Sequence, residues 1–203
     1  MLQLDHIAVI AGNLADGVSM VEAALGVEMA GGGEHPVTGT HNRLLRLGDV
    51  YLEVIAINPA APAPKQPRWF DLDNMAGPPR LANWIVRSDD LDADFAVAPD
   101  GMGAIVDLSR GDLRWRMTKS ADGRQPLGNA YPAMLQWQDK KAVDLLPDSG
   151  CRLLGFEIAH PLAADLNRAL AGSLTDSRVM IKQSDRVSFR AEIQTPNGVR
   201  RLI

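Results

Sequence analysis

Two polar residues, His6 and Glu53, lie within stretches of sequence that are otherwise apolar and rich in strand-forming residues. Because strand side chains alternate between two faces, each of the two polar groups shares a face with apolar neighbours. An unpaired charge among such neighbours costs several kcal/mol, so Glu53 requires a metal ion, another cation or a set of hydrogen-bond donors. The alternative is a hydrogen-bonded core histidine and an edge-strand glutamate that faces water.

The residues around this pair predict the order strand, helix, strand, strand. The run 4–10 is typical of a short β-strand, and Asn13 is a suitable N-cap for the helix that follows. Gly26 ends this helix, and strands at 43–47 and 50–57 follow a glycine-rich loop. The apolar residues of the helix recur at the spacing of one helix face: Leu14, Val18, Val21 and Leu25.

The same order of elements begins again after a proline-rich connector at 59–67. The second unit consists of a strand at 81–87, a helix at 91–97, strands at 105–108 and 113–118, and a closing strand at 132–137. A third, shorter unit consists of a strand at 152–159, a helix at 162–170, and strands at 179–182 and 187–193. This pattern predicts an α+β fold, in which helices pack on the outer face of a curled, mostly antiparallel sheet. A ligand would bind on the concave face.

Composition excludes several classes of protein. The chain has 203 residues, of which 46% are hydrophobic and 23% charged, as in soluble globular proteins. A formal net charge of −4 disfavours nucleic acid and anionic membranes as partners. The single cysteine, Cys151, excludes an internal disulfide and a cysteine-based zinc site. No apolar run approaches the length of a membrane span, and the first residues do not include the basic segment of a signal peptide. We therefore expect a cytoplasmic protein.

Five motifs stand in one order along the first part of the chain: Asp5-His6-Ile7, Leu25-Gly26-Val27, the loop 31–35, Gly39-Thr40-His41-Asn42 and Tyr51-Leu52-Glu53-Val54-Ile55. Together they resemble the first module of the vicinal-oxygen-chelate superfamily, and more narrowly its glyoxalase-like domain proteins. Arg68-Trp69-Phe70 and the segment 131–137 extend the resemblance. It implies paired βαβββ modules over residues 1–138, with a first module at 1–57, a connector at 58–80 and a second module at 81–138. Residues 150–203 would form a third, partial β-α-β-β unit.

The resemblance also implies a metal site. The superfamily holds a divalent metal with residues on the first and last strands of each module, positions that match His6 and Glu53 in the first. In the second module the matching places fall near Trp84, whose indole cannot ligate, and Gln136, whose carbonyl oxygen can. The implied cofactor is zinc, manganese, iron or nickel on the incomplete ligand set of His6, Glu53 and Gln136.

The same resemblance implies that Thr40, His41 and Asn42 line the cavity and contact a small-molecule ligand. Trp69, Trp84 and Trp137 are candidate aromatic walls for this ligand, and ordinary core packing is the alternative for each of them. His35 is expected to be a solvated loop histidine. Arg114 and Arg116 share one strand face and could bind a substrate carboxylate, although a solvated outer face is the favoured interpretation.

Two functions are consistent with this resemblance. The first is a metal-assisted lyase, isomerase or dioxygenase acting on a small oxygen-rich substrate, with Glu53 as the catalytic base. The second is a metal-free small-molecule binding or sequestering protein on the same scaffold, which the missing ligand at Trp84 favours. Since dimers are common in the superfamily, a homodimer is a further expectation.

Overall fold

The computed structural model describes residues 1–203, and the first part of the chain forms a βαβββ module. Its elements are β1 (Leu2–Ala11), α1 (Leu14–Leu25), β2 (Glu34–His35), β3 (Thr40–Arg46) and β4 (Tyr51–Ile57). β4 returns beside β1 and pairs with it in parallel, while β3 pairs with β4 antiparallel. The first and last strands of the module are therefore neighbours, which places His6 and Glu53 on adjacent strands.

Helix α1 begins and ends where the sequence predicts. The side chain of Asn13 accepts a 2.9 Å hydrogen bond from the backbone N–H of Asp16, which satisfies one of the free donors of the first turn. Gly26 ends the helix with φ at 69°, a left-handed conformation that glycine adopts at little cost. Val21 and Leu25 are buried on the helix face that packs against the sheet.

A second βαβββ module follows with the same arrangement. Its elements are β5 (Arg80–Ser88), α2 (Leu91–Ala96), β6 (Ala104–Arg110), β7 (Leu113–Lys119) and β8 (Ala133–Trp137). β5 pairs with β8 in parallel, as β1 does with β4. Asp90 caps α2 through a 3.1 Å hydrogen bond from the backbone N–H of Ala93, so the two helices begin in the same way.

The two modules join through the antiparallel pairing of β1 with β5. This gives one eight-stranded sheet in the order β2-β3-β4-β1-β5-β8-β7-β6. The sheet curls until its two edge strands meet, and Nη1 of Arg110 on β6 lies 3.1 Å from Nε2 of His35 on β2. The prediction of an α+β fold with a curled, mostly antiparallel sheet is confirmed.

The last part of the chain forms a separate four-stranded sheet. Its elements are β9 (Arg152–His160), α3 (Ala163–Leu170), β10 (Val179–Gln183), β11 (Ser188–Thr195) and β12 (Gly198–Leu202), and the strand order is β10-β9-β11-β12. Its first strand is flanked by its second and third strands, whereas the first strand of each module pairs with the last one. Strand β12, which the sequence analysis does not contain, pairs with β11.

The four-stranded sheet packs on the outer, convex face of the eight-stranded sheet. Phe156 of β9 lies with its ring centroid 5.9 Å from that of Trp84 on β5, and both belong to the largest buried cluster together with Val21 of α1. The third unit therefore neither covers the concave face nor extends the eight-stranded sheet. None of the helices is long and apolar enough to cross a membrane.

The connector between the modules enters the concave face. Its 3₁₀ segment, Trp69–Asn74, is called the plug below. Phe70 and Leu72 of the plug are buried against Ile85 and Ala133 of the second module. Phe70 has φ at 64°, which is costly for an aromatic residue and is maintained here by the surrounding contacts. The plug also shares this apolar cluster with Ala8 and Ile55 of the first module, so it fills part of the concave face where the two modules meet.

Candidate functional site

A cavity of about 180 Å³ remains on the concave face beside the plug. Residues at alternate positions of β3, β4 and β8 line it, as the pleat of a strand requires. An apolar cavity of about 150 Å³ holds benzene, so this one has room for a molecule with a single ring. Its polar side chains include His6, Asn42, Glu53 and Arg110, and its aromatic side chains are Tyr51, Trp69, Phe70, Trp115 and Trp137.

Asp5 and His6 are neighbours in sequence, and yet both join one hydrogen-bonded network. The pairing of β1 with β5 shifts register between Leu4 and His6, and a β-bulge of this kind redirects side chains locally. Oδ1 of Asp5 lies 2.7 Å from Nδ1 of His6, and Oδ2 of Asp5 accepts a 2.8 Å hydrogen bond from Nε1 of Trp137. Strict alternation would have separated Asp5 from His6, so the sequence analysis missed Asp5.

His6 and Glu53 form a buried ion pair, with Nε2 of His6 lying 3.5 Å from Oε2 of Glu53. The second carboxylate oxygen, Oε1, accepts a 2.6 Å hydrogen bond from the side-chain amide of Asn42. The ring of Tyr51 stacks on the imidazole of His6 at a centroid distance of 4.3 Å. Of the possible partners for Glu53, the structure supplies a cation and a hydrogen-bond donor from within the protein.

The two groups hold each other in their charged forms. Burial on its own lowers the pKa of His6, but the contacts with Asp5 and Glu53 outweigh it and raise the pKa to about 9. Burial likewise acts to raise the pKa of Glu53, but the contacts with His6 and Asn42 lower it to about 2. At neutral pH the site therefore contains an imidazolium and a carboxylate. Burial, together with Asp5 and Glu53, raises the pKa of Tyr51 well above its usual value, so its hydroxyl stays protonated.

Arg110 and His35 reach the cavity from the two edges of the sheet. Nη1 of Arg110 donates to Oδ1 of Asn42 at 3.2 Å and approaches Nε2 of His35 at 3.1 Å. Nδ1 of His35 lies 3.0 Å from the hydroxyl of Thr40. Burial lowers the pKa of His35, and the charge of Arg110 lowers it further, so this imidazole is neutral. The sequence predicts a solvated His35 and gives no signal for Arg110, because local patterns do not show that the two edges of the sheet meet.

Four of the residues predicted to contact ligand line the cavity: Thr40, Asn42, Trp69 and Trp137. His41 does not line the cavity, and its contact with a ligand stays a prediction. On β3 the residues at even positions from Thr40 face the cavity, so His41 lies on the opposite face, in a groove near Asn13 and Leu14. Arg114 is exposed, and Arg116 forms an ion pair with Asp92 away from the cavity.

Trp84 and Gln136 also lie away from the cavity. Trp84 faces the convex side, where its indole N–H donates to the carbonyl of Ala130 at 2.8 Å. Gln136 alternates with Leu135 and Trp137, which line the cavity, so its side chain faces the other way. Its amide donates to the carbonyl of Asp89 at 2.8 Å.

The strand pairings identify the true counterparts of His6 and Glu53 in the second module. Asn83 precedes the N-cap Asp90 by the same number of residues that separates His6 from the N-cap Asn13. Glu53 pairs with Ala8, two residues after His6, and Ala133 pairs with Ile85, two residues after Asn83. The second module therefore has an asparagine and an alanine where the first has a histidine and a glutamate.

These residues do not fit a divalent metal held between the modules. Ala133 has no donor atom, and Asn83 lies beside Ala8 and Ile85, which belong to the apolar cluster around the plug. Both amide atoms of Asn83 are buried without a hydrogen-bond partner. Asp5 and Glu53 contact opposite nitrogens of the His6 ring, so their oxygens do not converge on one point. No group of three or more His, Cys, Asp or Glu side chains is arranged to hold a metal ion.

Comparisons with known proteins identify the fold family. Residues 4–174 match the family model described as glyoxalase-like domain. A hypothetical protein from Staphylococcus aureus superimposes with a TM-score of 0.61 at 11% identity, over 93% of this chain and 88% of that one. At this identity the likeness shows the shared fold.

Two epimerase structures are also similar. The Streptomyces coelicolor methylmalonyl-CoA epimerase in complex with 2-nitronate-propionyl-CoA has 15% identity and a TM-score of 0.42, over 66% of this chain and 94% of that one. The Mycobacterium tuberculosis methylmalonyl-CoA epimerase has 17% identity and a TM-score of 0.41, over 66% of this chain and 85% of that one. No curated protein matches the sequence.

Proposed function

The chain belongs to the glyoxalase-like domain family, and we propose that within it the protein binds a small molecule in the concave cavity without a metal ion. The observation that carries this proposal is the pair Asn83 and Ala133, which stands where a second pair of metal ligands would have to stand. With His6 and Glu53 as the only two ligands, a divalent ion would lack the donors that hold it in protein sites.

The electrostatics of the site support binding over proton transfer. A general base works best when its pKa lies near the working pH. The pKa of Glu53 is lowered to about 2 and that of His6 is raised to about 9, so neither group exchanges a proton readily at neutral pH. Their role in this proposal is to orient a polar group of the ligand through a fixed pair of opposite charges.

The walls of the cavity support a ligand with a flat apolar body. Trp115 and Trp137 stand side by side with ring centroids 5.5 Å apart, and Trp69 and Phe70 of the plug line the cavity as well. Aromatic walls with a few fixed polar groups are typical of small-molecule sites. The volume of about 180 Å³ limits the ligand to about the size of a substituted benzene.

The test uses protein that has been dialysed against a chelator, with benzyl alcohol as a neutral single-ring probe. We expect no stoichiometric zinc, manganese, iron or nickel after incubation with each ion, measured by inductively coupled plasma mass spectrometry. We also expect ligand-observed NMR to detect benzyl alcohol bound to the metal-free protein. A stoichiometric ion that is lost in His6→Ala, or probe binding that requires an added ion, would overturn the proposal.

A pair of matched variants locates the binding site. Leu108 lines the cavity, so Leu108→Trp is expected to fill it and abolish probe binding. Leu154 is exposed on β9, and Leu154→Trp adds the same side chain outside the cavity. Retained binding in Leu108→Trp, with both variants folded, would place the probe elsewhere and contradict the assignment of the cavity.

A further inference from the structure

Arg110 is a cation at the cavity that no carboxylate neutralises. It is the last residue of β6, it is half-buried, and its side chain lines the cavity. Its two hydrogen-bonding contacts are the amide oxygen of Asn42 and the imidazole of His35. Neither partner carries a negative charge, because an amide is neutral and the pKa of His35 is lowered by burial. The side chain of Arg110 forms no salt bridge with an Asp or Glu, since its polar contacts are these two alone.

Arg178 differs from Arg110 in that carboxylates neutralise its charge. That guanidinium contacts Asp49 at 2.7 Å and Asp176 at 2.7 Å, so two carboxylates balance its charge on the surface. At the cavity, the acids Asp5 and Glu53 both contact the imidazolium of His6, and neither of them contacts Arg110. Asn42 stands between the two charges, since it donates to Glu53 and accepts from Arg110. Asn42 therefore fixes the position of Arg110 without neutralising its charge.

Gly33 of the glycine-rich loop lies close to the side chain of Arg110. A Cβ atom at Gly33 would lie 2.7 Å from Cδ and 3.2 Å from Nε of Arg110. The absence of a side chain at Gly33 therefore makes room for Arg110 at the edge of β2. Both of its contacts use Nη1, which leaves Nη2 and Nε without a protein partner. A guanidinium that has donors without an acceptor suits the oxygens of a carboxylate.

From this geometry we propose that the ligand is a small aromatic monoanion whose carboxylate is bound by Arg110. The inference rests on the proposed binding function and names the ligand class for the same cavity. The apolar ring would lie against Trp115 and Trp137, and the carboxylate would lie at the edge where β2 and β6 meet. A carboxylate bound there gains charge-assisted hydrogen bonds that a neutral ligand of the same shape lacks.

The experiment compares benzoate with benzamide, which has nearly the same shape and no charge, on chelator-treated protein. Ligand-observed NMR titrations measure both dissociation constants in the wild type, Arg110→Gln and Arg114→Gln. We expect the wild type to prefer benzoate by at least about tenfold, because the carboxylate adds charge-assisted hydrogen bonds. The preference should fall to near unity in Arg110→Gln and persist in Arg114→Gln, whose arginine is exposed and outside the cavity.

A second variant keeps the proposal testable if Arg110→Gln is poorly folded. Gly33→Ala retains the arginine but displaces its guanidinium, so it should reduce the preference for benzoate while benzamide binds as before. Equal affinities for the two probes in the wild type, or a preference that survives both substitutions, would overturn the proposal. Since benzyl alcohol and benzamide report on the cavity itself, binding of these neutral probes without a benzoate preference would contradict the ligand class and leave the binding function standing. Failure of all three probes would overturn both proposals.

Discussion

The two βαβββ modules share element order, helix capping and the parallel pairing of first and last strands, but they present different chemistry to the concave face. In the first module His6 and Glu53 form a buried ion pair with Asp5 and Asn42 around it. In the second, Asn83 is buried without partners and Ala133 packs under the plug. The same backbone positions thus support a polar network in one half and an apolar core in the other.

The plug explains how the second module tolerates this difference. Phe70 and Leu72 bury their side chains against Ile85 and Ala133, so a glutamate at position 133 would have to displace them. Beside the plug, the concave face keeps a cavity that is suited to a single ring and lined by residues of both modules. The two modules therefore have the same strand register, although the first presents a buried ion pair to the concave face and the second contributes apolar packing at the matching positions.

The largest expected effect concerns the ion pair of the first module. Glu53→Gln leaves the buried imidazolium of His6 with one carboxylate instead of two, and it removes the charged acceptor of Asn42. We expect the free energy of unfolding to fall by about 3 kcal/mol in urea titrations at pH 7. Glu28→Gln, at an exposed glutamate, should change it by less than about 0.5 kcal/mol. Similar values for the two variants would mean that the ion pair does not stabilise the module.

The next effect is a loss of stability at alkaline pH. Because the pKa of His6 rises from 6.5 to about 9, the folded protein keeps a proton between these values that the unfolded chain has released. The free energy of unfolding should therefore be highest below pH 6.5 and fall by about 3 kcal/mol as the pH rises to 9. Urea titrations across this range measure the slope.

His41, whose pKa is lowered and not raised, provides the control for this pH dependence. His6→Gln should flatten the curve between pH 6.5 and 9. His41→Gln should leave it unchanged, because the pKa of His41 is lowered by burial and this group titrates below the window. A wild-type curve that is flat from pH 6.5 to 9 would contradict the protonated state assigned to His6.

Local patterns in the sequence were sufficient to predict the family, the α+β fold and the position of His6 and Glu53 on the first and last strands of one module. The resemblance and the fold class are both confirmed. The counterpart Asn83 was also within reach, because counting back from the N-cap Asp90 places it opposite His6. The sequence analysis instead aligned Trp84, one residue away, and a shift of one residue on a strand exchanges the two faces.

Other features depend on contacts that no local pattern encodes. Asp5 joins the network only because a bulge interrupts the pairing of β1 with β5. Arg110 and His35 meet because the sheet curls until its edges approach, although the two residues are far apart in sequence. The third unit repeats the order strand, helix, strand, strand, yet its first strand pairs with its second and third strands and not with its last one. Element order is local, whereas strand order depends on packing between distant segments.

The smallest expected effect concerns the side-chain amide of Asn83, which has no hydrogen-bond partner. Its substitution should stabilise the protein, whereas Glu53→Gln should destabilise it. Burying an amide without hydrogen bonds costs free energy, so Asn83→Leu should raise the free energy of unfolding by about 1 kcal/mol. The same substitution at Asn42, whose amide bonds to Glu53, Gly33 and Arg110, should lower it. Urea titrations of the two variants at pH 7 compare the modules directly. Equal destabilisation by Asn83→Leu and Asn42→Leu would contradict this prediction. Asn83 would then have a polar partner in solution, and the second module would not be the less polar of the two on the concave face.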